Sequence, residues 1–244
     1  MCIRLCSCEC CFSHPLDDES CPENKAFHKD ILEWNKICDR IYIWDYVANF
    51  AQYIPPFPNF GVLRENMRFF AEHGVKGMYP EGRYNSRGSG EFAELRCYLL
   101  AKLMMDPYMS STDYYRHMDE FLAAFYGEGW RYIRAYIDFT CGQAKNRHMN
   151  IWRQPMDIIP QEMYEAMEET IDSWWDKAEA MAGDRLKYVK LSRLQWQFIQ
   201  LTMHPDAEKG RVFAHAVEAA QIRWHENCSL RENADYSLEP TDWF

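Results

Sequence analysis

Three carboxylates draw the eye first: Glu9 in "CSCEC", Asp45 in "IYIWDYVANF" and Glu81 in "YPEGRYN". Each follows a short β-branched or aromatic run, the place where a buried strand ends. Glycoside hydrolysis needs one group to protonate the leaving oxygen and a second to attack or stabilise an oxocarbenium-like centre. Glu9, Asp45 and Glu81 are therefore the candidate catalytic residues. Trp44 and Tyr46 flank Asp45 as candidate stacking platforms for a sugar, and Asn49 and His14 are candidate sugar contacts from neighbouring loops. Successive strand residues point to opposite sides, so Asp45 shares a face with both rings only if its strand has already ended.

The elements that must hold these residues alternate. Residues 2 to 8 read as a strand, 24 to 37 as a helix with Phe27, Ile31, Trp34 and Cys38 at helical spacing, and 41 to 45 as a second strand. A helix capped by Asn59 carries Leu63, Met67 and Phe70 to a stop at Gly74, a third strand spans 75 to 79, and a helix over 90 to 105 turns Phe92, Leu95, Leu99 and Leu103 inward. This order requires parallel strands with right-handed crossovers. Each strand leads to its helix through a long loop (9 to 23, 46 to 58, 80 to 89), whereas the returns are two or three residues long. Connections in compact domains are usually about 4 to 6 residues. The carboxyl ends of parallel strands are where α/β folds keep their chemistry, and that end is elaborated here.

From residue 111 onward the pattern is helical, and five helices are expected. The first, to Tyr126, is capped by Ser111 and Thr112. The third begins at Pro160 with Met163, Met167, Ile171, Trp174 and Ala178 inward, and the fifth buries Phe213, Ala216, Val217, Ala220 and Trp224. The last residues, "RENADYSLEPTDWF", form a polar tail. The chain thus divides into 1–108, an α/β region, and 109–244, a helical region. Three parallel strands cannot close a barrel, so they form an open sheet under the helices or the last piece of something longer.

Composition narrows the partners. A net charge of −10 and a pI near 5.3 argue against nucleic acid, and no apolar run is long enough for a membrane span. The opening "MCIRLCSCECC" lacks the apolar core of a signal peptide. Six of ten cysteines fall in the first 21 residues, which raises a metal or disulfide cluster against plain small-residue packing. On a strand Cys6, Cys8 and Cys10 share one face, poor geometry for tetrahedral closure, and no paired C-x-x-C motif is present. No metal and no cofactor are expected. Phosphate-loop, dinucleotide, G-x-S-x-G and H-E-x-x-H motifs are absent too.

The strings "RLCSCECCFSHPLDDESCPENKAF", "IYIWDYVANFAQYIPPFPNFGVLRENMRFFAEHGVKGMYPEG", "ELRCYLLAKLMMDP" and "EFLAAFYGEG", in this order over about residues 2 to 140, resemble proteins carrying domain of unknown function 4838, DUF4838. The catalytic region of glycoside hydrolase family 163 is of this kind. The resemblance implies the last three βα units of a (β/α)₈ TIM-type barrel followed by a helical bundle. It also implies an endo-β-N-acetylglucosaminidase acting on N-glycans, exported to the periplasm or cell surface of Bacteroidetes. Relatives carry several hundred further residues upstream, so a truncated or split reading frame is expected, incomplete alone and partnered by the missing N-terminal part. Pro80 and Glu81 depart from the family's usual acidic residue and Gln. A non-catalytic carbohydrate-binding or helical interaction module is the alternative reading.

Overall fold

The computed structural model describes residues 1–83, 91–154 and 157–223. The elements are β1 (Ile3–Cys6), α1 (Lys25–Asn35), β2 (Ile41–Tyr46), α2 (Leu63–Glu72), β3 (Val75–Glu81), α3 (Ala93–Met105), α4 (Ser111–Tyr126), α5 (Trp130–Ala144), α6 (Gln161–Ala180), α7 (Leu186–Met203) and α8 (Ala207–Ala219). The strands form one parallel sheet in the order β1-β2-β3, and no barrel closes among the described residues. The fold is mixed α/β followed by helices. Its long strand-to-helix connections 7–24 and 47–62 lie at one end of the sheet, where β3 also ends.

Pleating divides the sheet's two faces. Ile41, Ile43 and Asp45 are buried, while Tyr42 is exposed and Trp44 and Tyr46 are half-buried on the other side. Register places Cys6 beside Trp44, Tyr79 on its far side, and Glu81 beside Tyr46. The outer face therefore carries Arg4, Cys6, Tyr42, Trp44, Tyr46, Tyr79 and Glu81. Gly77 lies there against the Tyr42 ring, which a Cβ would meet at 3.2 Å.

Several boundaries move. β1 ends at Cys6, so Cys8 and Cys10 stand in the following turn; β3 continues through Pro80 to Glu81. Asn59 does not cap α2, which begins four residues later; its side chain instead accepts from Arg96 Nε at 2.9 Å. The cap of α4 is Ser110, whose hydroxyl accepts from the Asp113 amide at 3.0 Å. On α6 the buried positions are Tyr164, Ile171, Trp175 and Ala178, so Trp175 takes the place expected of Trp174, and Met163 and Met167 are only partly buried. Trp175 stacks over Phe92, with centroids 6.5 Å apart and planes 12° apart. Phe92 holds a left-handed backbone (φ 46°) at the start of α3.

One hydrophobic cluster runs from Phe12, Ile31 and Ile43 through Leu99 and Tyr126 to Tyr164, Trp175 and Trp196. It crosses the division expected at residue 108, because the inward faces of α4 to α7 cover the helices of the sheet. Trp224, the polar tail and most of "GRYNSRGSG" lie outside the described residues.

Candidate functional site

On the outer face, at the carboxyl ends of β2 and β3, the Trp44 indole Nε1–H donates to Glu81 Oε2. The Trp44 and Tyr46 rings stack with centroids 6.3 Å apart and 19° between planes. Tyr79 meets Trp44 edge-on at 5.9 Å and is 57% exposed. The Arg4 guanidinium lies 4.6 Å from the Trp44 centroid, a cation–π contact that fixes the indole from the β1 side. Burial, with Cys6 and Glu81 beside it, pushes the Tyr46 phenol up to about 12, so it stays a neutral donor at neutral pH. The result is an aromatic shelf edged by one carboxylate and one guanidinium.

Asp45 is one residue away in sequence but faces inward. The strand continues through Tyr46, so the carboxylate shares a side with Ile41 and Ile43 and is 6% exposed. Ser7 Oγ donates to Asp45 Oδ1 at 2.6 Å, and the Tyr46 amide donates to Ser7 Oγ at 3.3 Å, knitting the ends of β1 and β2 together. Burial raises the Asp45 pKa to about 6, with the Ser7 hydroxyl and Tyr46 amide pulling against it. Trp44, Asp45 and Tyr46 therefore do not form one wall.

The remaining candidates do different work. Glu9 is exposed in the turn after β1. Asn49 is buried; its Nδ2 donates to the Arg153 carbonyl at 2.7 Å and its Oδ1 accepts from the Ala51 and Gln52 amides, an Asx-type turn. His14 turns Nδ1 to Cys11 Sγ at 3.2 Å and Nε2 to the Lys145 carbonyl at 2.9 Å. Trp44, Tyr46 and Glu81 are thus brought together; Asn49 and His14 hold loops.

His14 belongs to a second group that spacing alone did not reveal. One ligand atom each from Cys11, His14, Cys21 and His148 lie within 4.8 Å of one another. Cys21 Sγ stands 3.6 Å from His148 Nδ1, and the two imidazoles tilt against each other at 4.9 Å. Burial alone would raise the Cys11 thiol. Hydrogen bonds, from Ser13 first and then from the Met149 amide and the His148 ring, outweigh it and hold the thiol near 6. The first two of these ligand atoms follow a Cys-x-x-His spacing visible in the sequence; His148 arrives from the segment after α5, more than a hundred residues away.

A parallel three-stranded sheet with an aromatic and acidic face at its carboxyl end, roofed by helices, defines an α/β domain with a helical extension. The chain belongs to the family described as Domain of unknown function (DUF4838), which matches residues 1–138, more than half of its length. No curated protein and no solved structure matches it. Among the described residues, no helix is long and apolar enough to cross a membrane.

Proposed function

We propose that the outer face of the sheet is part of the glycan-binding surface of a glycoside hydrolase resembling family 163, an endo-β-N-acetylglucosaminidase acting on N-glycans or related glycans. The observation that carries this reading is the shelf of Trp44, Tyr46 and Tyr79 with Glu81 hydrogen-bonded to its indole, at the strand ends where parallel α/β folds bind substrate. Aromatic faces suit the C–H faces of a pyranose, with polar edges left for hydroxyls. Glu81 is placed to accept from a sugar hydroxyl or an acetamide N–H. Asp45, turned inward, is a positioning residue that fixes the end of β2 through Ser7.

Cleavage needs two groups on opposite sides of the scissile bond. Three strands supply one wall, so the 244-residue chain alone is expected to bind glycan without releasing it, the remaining barrel strands and the second group coming from elsewhere in the parent enzyme. Isothermal titration of the chain with a GlcNAc-terminated N-glycan tests this. Saturable binding weakened at least tenfold by Trp44→Ala, about 1.4 kcal/mol or more, and severalfold by Glu81→Gln, supports the shelf. Absence of binding, or an unchanged Kd in Trp44→Ala, rejects it. Release of glycan by the isolated chain would reject the claim that the chain is incomplete.

A further inference from the structure

The geometry points to a structural zinc site: we propose that Cys11, His14, Cys21 and His148 bind one Zn²⁺ in a closed tetrahedral Cys₂His₂ shell that clips the loop after β1 to the segment after α5. This inference stands apart from the reading of the glycan face and survives its failure.

Zinc–sulfur bonds of about 2.3 Å and zinc–nitrogen bonds of about 2.0 to 2.1 Å put tetrahedral ligand atoms roughly 3.3 to 3.8 Å apart. The four ligand atoms here are all within 4.8 Å, and the Cys11–His14 and Cys21–His148 edges measure 3.2 and 3.6 Å. Side-chain rotations of a few tenths of an ångström to about 1 Å bring the shell to bonding geometry. Both cysteines are only 1% exposed, and no disulfide joins them.

Groups around the shell are arranged as outer ligands usually are. A carbonyl can only accept, so the 2.9 Å contact to Lys145 makes Nε2 of His14 the protonated nitrogen and leaves the Nδ1 lone pair facing Cys11. The Met149 amide donates to Cys11 Sγ at 3.4 Å, a contact that stabilises a thiolate. Asn24, fully buried, accepts from the Cys11 amide at 2.8 Å and donates to the His14 and Pro15 carbonyls, which braces the loop that carries Cys11 and His14. Both thiols ionise on binding and their two protons leave to solvent. Four protein ligands leave no open position, which makes the site structural rather than catalytic.

The tie has a mechanical consequence. The segment after α5 already pairs with both loops: the Phe12 amide donates to the Met149 carbonyl at 2.6 Å, Ser13 Oγ donates to the Arg147 carbonyl, and the Phe50 amide donates to the Ile151 carbonyl at 2.8 Å. Zinc would lock this strap and, through it, the carboxyl end of the sheet.

The test is the full chain purified under reducing conditions without chelator, with metal measured by inductively coupled plasma mass spectrometry. About one zinc per chain is expected. After chelation, Co²⁺ added to the stripped protein is expected to give the d–d bands of a tetrahedral site and a thiolate charge-transfer band. Cys21→Ser and His148→Ala should each lose most of the bound metal, while Cys97→Ser, an exposed thiol on α3, keeps it. Should the variants fail to fold, the wild-type Co²⁺ spectrum decides. Substoichiometric zinc with an octahedral or featureless Co²⁺ spectrum overturns the proposal, as does a Cys11–Cys21 disulfide in the freshly purified chain, or undiminished metal in both ligand variants.

Discussion

Asp45 lies next to two aromatic rings in sequence and on the opposite side of the sheet from both. Its burial has a titration signature. The unfolded side chain ionises near 3.8, whereas in the folded chain the carboxyl keeps its proton until about 6. Between these values the folded state binds more protons than the unfolded one, so stability falls as pH rises through this window and then levels off. Asn at this position keeps an acceptor for the Ser7 hydroxyl and has no proton to lose. Asp45→Asn is expected to abolish the decline and to be about 2 to 3 kcal/mol more stable than wild type at pH 7.5, at about 1.4 kcal/mol per pKa unit, with little difference at pH 4. Urea unfolding at the two pH values reads this, and parallel shifts in both proteins would refute it. The three letters Trp-Asp-Tyr were readable as a strand end, and alternation warned that they could share a face only past it. Which side was which depended on one further residue of pairing, Tyr46 against Glu81, and that is a register fact no composition carries.

At the scale of elements, the βαβαβα order, the parallel sheet and the eight α-helices among the described residues were legible, because apolar spacing at periods of 2 and 3.6 is a property of the local sequence. What escaped were positions set by distant partners. Asn59 has the composition of a helix cap, yet its carboxamide is claimed by Arg96 from α3. On α6 either tryptophan could have faced inward, and the ring of Phe92 selected Trp175. Arg96 is 3% exposed and ties α3 to the approach to α2. Its Nη2 donates to the Phe57 carbonyl at 2.9 Å and to Glu91 Oε1 at 2.8 Å, and its Nη1 stands 2.7 Å from Glu91 Oε2. The Glu91 carboxylate also stands 3.6 Å from the buried Arg83, so removing Arg96 leaves it one more distant cation and fewer hydrogen bonds, a loss of up to about 3 kcal/mol. Arg96→Met should show that loss in urea denaturation. The double variant Arg96→Met with Glu91→Gln should lose more than Arg96→Met alone, because it also takes the carboxylate from the buried Arg83 guanidinium. A loss below about 1 kcal/mol in Arg96→Met would mean the network orients the loops without stabilising them.

For the whole molecule, the family match ends inside α5, but the core does not. Tyr136 packs against Trp175 and Trp196 at 5.1 and 6.3 Å, the Tyr126 hydroxyl lies 2.7 Å from Ser192 Oγ, and Phe12 pairs its amide with Met149. All of these residues within 1–138 are covered by ones beyond it. A fragment of residues 1–138 would therefore expose Phe92, Tyr126, Tyr136 and the underside of the loop after β1, and lose His148 as well. Buried aromatic area of this kind is worth about 1.5 to 3 kcal/mol per side chain, against a total domain stability of about 5 to 15 kcal/mol. The fragment is expected to keep helical far-ultraviolet dichroism while binding a hydrophobic dye and melting without a cooperative transition, as a compact state with unfixed packing does. The full chain should melt as one unit, because one hydrophobic cluster joins the sheet to the helices through α7, and α7 shares a second with α8. A sharp, dye-free transition in the 1–138 fragment would show instead that the helices after α5 only decorate a domain able to fold without them.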